Sequence, residues 1–119
     1  LLDLCASCDY ITIHVPATPK TKGMIGADEI AAMKEGAAFL NFSRDTLVDN
    51  DAMRAGLTSG KVRRYVTDFA TPEVMTMEGA LVLPHLGAST AEAEENCAEM
   101  AVREVMDYLE TGKKVHCVN

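Results

Sequence analysis

Four short apolar runs punctuate the chain, and the stretches between them carry apolar residues at helical spacing. Residues 10–14 (YITIH) are β-branched and aromatic, close at Val15 and Pro16, and predict a buried strand. A turn-rich segment, PATPKTKGMIG, leads into a short amphipathic helix over residues 27–34, with Ile30, Met33 and Ala31 turned inward and Gly36 ending it. Residues 37–42 (AAFLNF) form the second strand, a nearly continuous apolar run of the kind expected when both faces are covered. After SRDTLV, Asp49 is the expected N-cap of a helix with Ala52, Met53 and Leu57 inward, terminated near Gly60. Residues 62–69 predict a third strand, although Arg63 and Arg64 interrupt it. Residues 71–79 read as a loop and residues 80–83 as the fourth strand. Ser89 and Glu92 then make a capping box for a long helix to about Glu110, stopped by Gly112. Its inward positions are expected at Ala93, Cys97, Ala98, Ala101, Val105 and Leu109, with the glutamates facing water.

Strands alternating with helices predict an α/β fold, a four-stranded parallel sheet with right-handed crossovers and flanking helices. With 119 residues, 48% of them hydrophobic, the chain can build one domain with a core of its own. A net charge of −7 argues against a nucleic-acid or anionic-membrane surface, since both need basic clusters and only KVRR at residues 61–64 and the pair Lys113 and Lys114 are locally basic. No run has the length of a membrane span and no signal pattern opens the chain, so the reading is a cytoplasmic protein. The opening LLDLCASCDY has no initiator methionine and reads as the end of a helix delivering into a strand, as in an excerpt from a longer protein.

Cys5 and Cys8 form a CxxC, the pattern of a redox pair or of half a zinc site completed by Cys97, His116 or Cys117. Here the pair precedes a strand, whereas redox pairs follow one, and no second CxxC or HxxxH accompanies it. Small packing residues one helical turn apart are the favoured reading, with no metal site.

Chemistry concentrates where strands end. In open parallel sheets, ligands bind beyond the carboxyl ends of the strands. Arg44 follows the second strand, Asp68 and then Glu73 follow the third, and His85 follows the fourth within LPHLGAST, residues 83–90. A guanidinium can hold a carboxylate bidentately. An imidazole can exchange a proton with a carbonyl or hydroxyl oxygen, and a carboxylate on its other nitrogen fixes the tautomer and raises the pKa. Arg44, Glu73 and His85 would together suit reduction of a 2-keto acid or oxidation of a 2-hydroxy acid, with the hydride carried by a cofactor. Plainer readings exist for each: Arg44 in a surface ion pair with Asp45 or Asp49, His85 as a structural histidine, Glu73 simply solvated. His14 also closes a strand and competes with His85, while His116 reads as surface.

These residues, in this order, resemble the D-2-hydroxyacid dehydrogenases, most closely the branch acting on 3-phosphoglycerate. The resemblance runs through CDYITIHVPATPKTKGMIG, MKEGAAFLNFSRDTLVD, the TDF to Glu73 segment, LPHLGASTAEAEENCAEMA and the closing VHCVN. It implies that Arg44, in N-x-x-R, binds the substrate carboxylate. Glu73 would orient the histidine, and His85, in P-H-x-G, would be the acid-base catalyst. It implies NAD as cofactor, contacted by Val15, Phe42, Ser43, Arg44, Asp68, His85, Leu86, Gly87 and Ala88, and a small anionic 2-hydroxy acid as substrate. The implied activity is interconversion of a D-2-hydroxy acid and its 2-keto acid, 3-phosphoglycerate to 3-phosphohydroxypyruvate in serine biosynthesis, by a homodimer.

The family's G-x-G-x-x-G fingerprint, the acidic residue that follows it and the substrate domain are not among these residues. The 119 residues are therefore read as the C-terminal half of a Rossmann-type NAD-binding domain, inactive in isolation. Asp45 stands where the family usually has glycine, putting a negative charge beside the guanidinium. Val74 stands where proline often follows the glutamate. The competing expectation is a non-catalytic binding or assembly module that keeps the half-Rossmann sheet and pairs through the edge at residues 10–14.

Overall fold

A computed structural model describes residues 1–117 of the chain. They divide into two compact units, Leu1–Pro84 and a second that begins at His85.

The first unit is built on four parallel strands, β1 (Tyr10–Ile13), β2 (Ala37–Asn41), β3 (Val62–Thr67) and β4 (Ala80–Val82), hydrogen-bonded in the order β1-β2-β3-β4. The predicted α/β architecture is thus present, with each strand paired to the next in sequence. Phe39 on β2 lies in register with Ile11 on β1 and Tyr65 on β3, and the Phe39 and Tyr65 rings meet at 6.2 Å. All of β2 except half-buried Leu40 is buried, as its nearly continuous apolar run predicts. The register of β3 slips between Ala37 and Ala38, skipping Arg63. That irregularity accommodates the arginine pair: both side chains are exposed, and Arg63 lies over the Tyr10 ring at 6.0 Å.

Four short helices accompany the sheet: α1 (Leu2–Ser7), α2 (Ala27–Ala32), α3 (Asn50–Ser59) and α4 (Pro72–Met75). Cys5 on α1 is fully buried in the core, with Cys8 packed against that core, consistent with the packing reading of the CxxC. On α2 it is Ile30 and the capping Met33 that are buried, while Ala31 is exposed and Ala32 takes the inward place expected of it. The helix ends sooner than predicted, at Ala32, so the residues around Met33 no longer follow helical spacing. Asp49 caps α3 as predicted, accepting from the Ala52 amide at 2.9 Å, and Gly60 closes it at φ 80°, a conformation that costs other residues about 1–2 kcal/mol. Gly56 lets α3 approach α2 and β3: a Cβ there would lie 2.7 Å from Ile30 Cγ2 and 3.2 Å from Val62 Cγ2.

Residues 71–79 are not all loop. Thr71 caps α4 through the Val74 amide and Pro72 occupies its first turn, where the missing N–H costs nothing. SRDTLV carries a short 3₁₀ turn, Asp45–Leu47. Phe69 lies beyond the end of β3 at Thr67, and Phe42 beyond β2 at Asn41.

The second unit is α5 (Ala91–Thr111), stopped by Gly112 at φ 70°, with its flanking segments. Thr90, rather than Ser89, is its N-cap, accepting from the Ala93 amide at 3.1 Å; the helix starts one residue later than the S-x-x-E pattern implies. None of α5's residues is buried, including the six positions expected to face inward. An apolar stripe reports which side of a helix would pack, and a single helix within its own unit offers that stripe no partner. His116 is exposed and pairs with Glu104 at 2.7 Å, as a surface histidine would. Val118 and Asn119, which close the VHCVN motif, lie outside the described residues. Among the described residues no helix is long and apolar enough to cross a membrane.

Candidate functional site

Because the strands are parallel, β1 to β4 present their carboxyl ends along one edge of the first unit. Beneath that edge lie two fully buried polar side chains, Asn41 at the end of β2 and Thr67 at the end of β3. Buried polar groups persist when their hydrogen bonds are made, and these are. The Asn41 Nδ2 donates to the Arg44 carbonyl at 2.8 Å, and its Oδ1 accepts from the Ser43 amide at 3.1 Å. Thr67 Oγ1 donates to the Asn41 carbonyl at 2.8 Å and accepts from the Phe69 amide at 3.2 Å. The Tyr65 hydroxyl sits 3.5 Å from Asn41 Nδ2. Burial pushes the Tyr65 phenol above its ordinary range, opposed by its hydrogen bonds with Asn41 and Thr67.

This network fixes the backbone leaving β2 and β3, and with it several predicted residues. Ser43 Oγ donates to the Val15 carbonyl at 2.8 Å, joining the segments that follow β1 and β2. Two expected cofactor contacts, Val15 and Ser43, are thereby brought together. Phe42 is exposed at the same strand end. Arg44 is exposed, with Nη1 donating to the Ser43 carbonyl at 2.6 Å. The ion pairs considered for it do not form: Asp45 accepts from the Thr46 amide at 2.8 Å and Asp49 from the Ala52 amide. The charge of Asp45 therefore follows the arginine in sequence without bonding to its guanidinium. Asp68, half-buried, follows Thr67 directly.

Glu73 is exposed on α4 and shares an open groove with Lys22, Asp45, Asp49 and Asp51, so the first unit places it beside the turn that carries Arg44. His14, the rival histidine, is exposed just past β1 and bonds Thr12 Oγ1 at 2.9 Å through Nε2. His85, Leu86, Gly87 and Ala88 open the second unit in an exposed turn, in which the Ser89 amide donates to the Leu86 carbonyl at 3.1 Å.

The matching profile is that of the D-isomer specific 2-hydroxyacid dehydrogenase, NAD binding domain, and it covers residues 1–87. The chain belongs to that family. It is 35% identical to a D-3-phosphoglycerate dehydrogenase of Methanocaldococcus jannaschii over 90% of the chain and 22% of that protein. It is 33% identical to glyoxylate/hydroxypyruvate reductase B of Cronobacter sakazakii over 98% of the chain and 38% of the relative. A glyoxylate reductase from Paecilomyes thermophila superposes with a TM-score of 0.84 at 27% identity, over 96% of this chain and 37% of the other. The chain thus spans well under half the length of each of these three proteins. The sheet is that of the family's Rossmann-type NAD-binding domain.

Tyr65 stands in no sequence motif, and Thr67 and Asn41 enter only as the first residues of TDF and of N-x-x-R. The available signal is the one amide inside AAFLNF, next to last in the predicted apolar strand, where a polar side chain needs a partner.

Proposed function

We propose that the chain is the C-terminal half of the NAD-binding domain of an oxidoreductase that interconverts D-2-hydroxy acids and 2-keto acids, with 3-phosphoglycerate as substrate in serine biosynthesis. Arg44 binds the substrate carboxylate, His85 takes the proton of the C2 hydroxyl as it becomes a carbonyl, and Glu73 supports the resulting imidazolium. NAD, when bound, supplies the carbon that accepts the hydride from C2. The strand ends suit such a group. The buried Asn41–Thr67 network holds Val15 and Ser43 in contact at 2.8 Å and leaves the Phe42 ring exposed beside them, an apolar surface with ordered backbone. Val15, Phe42, Ser43, Arg44, Asp68 and residues 85–88 would hold the cofactor.

The observation that carries this reading is the family match across residues 1–87, which includes N-x-x-R, Glu73 and His85. The choice of 3-phosphoglycerate leans on the relatives with that name, in Methanocaldococcus jannaschii and others. Steady-state kinetics on the full-length enzyme test it. His85→Asn is expected to lower kcat by about 10²- to 10⁴-fold. Oxidation of 3-phosphoglycerate is expected to exceed reduction of glyoxylate in kcat/KM, and the reverse order overturns the substrate assignment. The 119 residues alone are expected to give negligible NAD reduction.

A second reading, an assembly module, is favoured by the edge of β1, where Tyr10 and Thr12 are exposed and β2 is the sole strand partner among the described residues. Sedimentation giving a dimer, together with no NAD uptake by calorimetry in the full-length protein, would select it.

A further inference from the structure

Glu73 rides on α4, a surface helix of one turn, which cannot hold its shape by helix propensity. Its N-terminus is tied by Thr71, and its underside is anchored by buried Val74 and by Met77 just beyond it. The C-terminal carbonyls of a helix lack intrahelical donors, and α4 has no basic residue in its last turn to serve them. The donor comes from α3. Arg54 Nη2 donates to the Glu73 carbonyl at 2.9 Å and to Thr76 Oγ1 at 3.2 Å, while Nη1 donates to the Thr76 carbonyl at 3.3 Å. Thr76 Oγ1 in turn donates to the Glu73 carbonyl at 2.9 Å.

A planar guanidinium thus grips the backbone of the one residue whose carboxylate the proposed chemistry needs fixed. Its sign suits the negative end of the helix, and its two-pronged geometry restrains translation and rotation in a way a single ammonium cannot. Asp49 and Gly60 cap the helix that carries it, and Met53 beside it is fully buried, so the clamp is mounted on a fixed support. We infer that Arg54 is a positioning residue for Glu73, acting on the rate through the placement of that carboxylate. The inference rests on the reading of Glu73 proposed above.

The test is a double-mutant cycle in the full-length enzyme with NAD and 3-phosphoglycerate, using Arg54→Met, Glu73→Gln and the pair. Arg54→Met is expected to lower kcat about tenfold with KM changed less than about twofold, because misplacing a catalytic partner costs rate rather than uniform binding. The acid limb of the kcat/KM profile should move to lower pH, since an imidazole without a fixed carboxylate is more acidic. Arg54→Lys should recover part of the rate. In the Glu73→Gln background, Arg54→Met should cost less than about twofold, since both changes then remove the same effect. Hydrogen exchange at the Met75 and Met77 amides, bonded to the Thr71 and Val74 carbonyls, should speed up in Arg54→Met. Equal costs of Arg54→Met in both backgrounds, or faster exchange with kcat and the pH profile unmoved, would overturn the inference while leaving Glu73's role standing. A Glu73→Gln enzyme with wild-type kcat and pH profile would overturn the role itself, and Arg54's with it.

Discussion

Asn41 concentrates more consequence in one side chain than any other buried polar group here. It satisfies a backbone donor and a backbone acceptor within one turn, and its own carbonyl is satisfied by Thr67. Asn41→Ala strands the Ser43 amide and the Arg44 carbonyl and leaves a void, an expected loss of roughly 3 kcal/mol by urea unfolding. Thr67→Val keeps the shape and removes only the hydroxyl, for an expected loss of about 1–2 kcal/mol. Tyr65 and Cys5 make a pH prediction. Burial raises the pKa of both; for Cys5 the charge of Glu29 adds to it. An acid whose folded pKa is raised gives up its proton more readily in the unfolded chain. The stability it contributes is therefore complete below the ordinary values of 9.0 for the thiol and 10.0 for the phenol, and is lost as pH climbs through the higher folded values. Urea midpoints should fall across that alkaline range, less steeply in Tyr65→Phe.

Where α2, α3 and β3 meet, clearance is the controlling quantity. Gly56→Ala would press a methyl group against Ile30 and Val62, and overpacking of this kind is expected to cost about 1–3 kcal/mol in thermal or urea unfolding. How far such features were legible follows from how local they are. Asp49, Gly60 and Gly112 were readable because a cap is written within a few residues. The helix α4 falls within the predicted loop although Thr71 and Pro72 spell a helix start, because a single turn has no periodicity. The role of Thr67 is not readable, because the Asn41 carbonyl it serves lies 26 positions away and only the β2–β3 register joins them. Arg44, Glu73 and His85 stand out as polar groups after strands whose chemistry suits a 2-hydroxy acid, and the family resemblance is what sets those roles above the plainer readings of each. Arg54 carries no signal in the sequence, since two of its three bonds go to carbonyls, which every residue has.

All core residues among those described lie between Cys5 and Met77, within the first unit, and none belongs to α5. A chain ending at Pro84 is therefore expected to keep cooperative unfolding and its sheet signal in circular dichroism, and Leu109→Ser to leave the midpoint unchanged. Periodicity marks an apolar side on α5 and does not say whether anything covers it. The in-order sheet has one more implication. Because every strand bonds to its immediate successor, a nascent chain leaving the ribosome can zip each strand onto the last without waiting for a distant segment. During synthesis β2 would therefore cover its side of β1 before β3 and β4 have emerged, so that no apolar strand of the four waits for the whole sheet to be made.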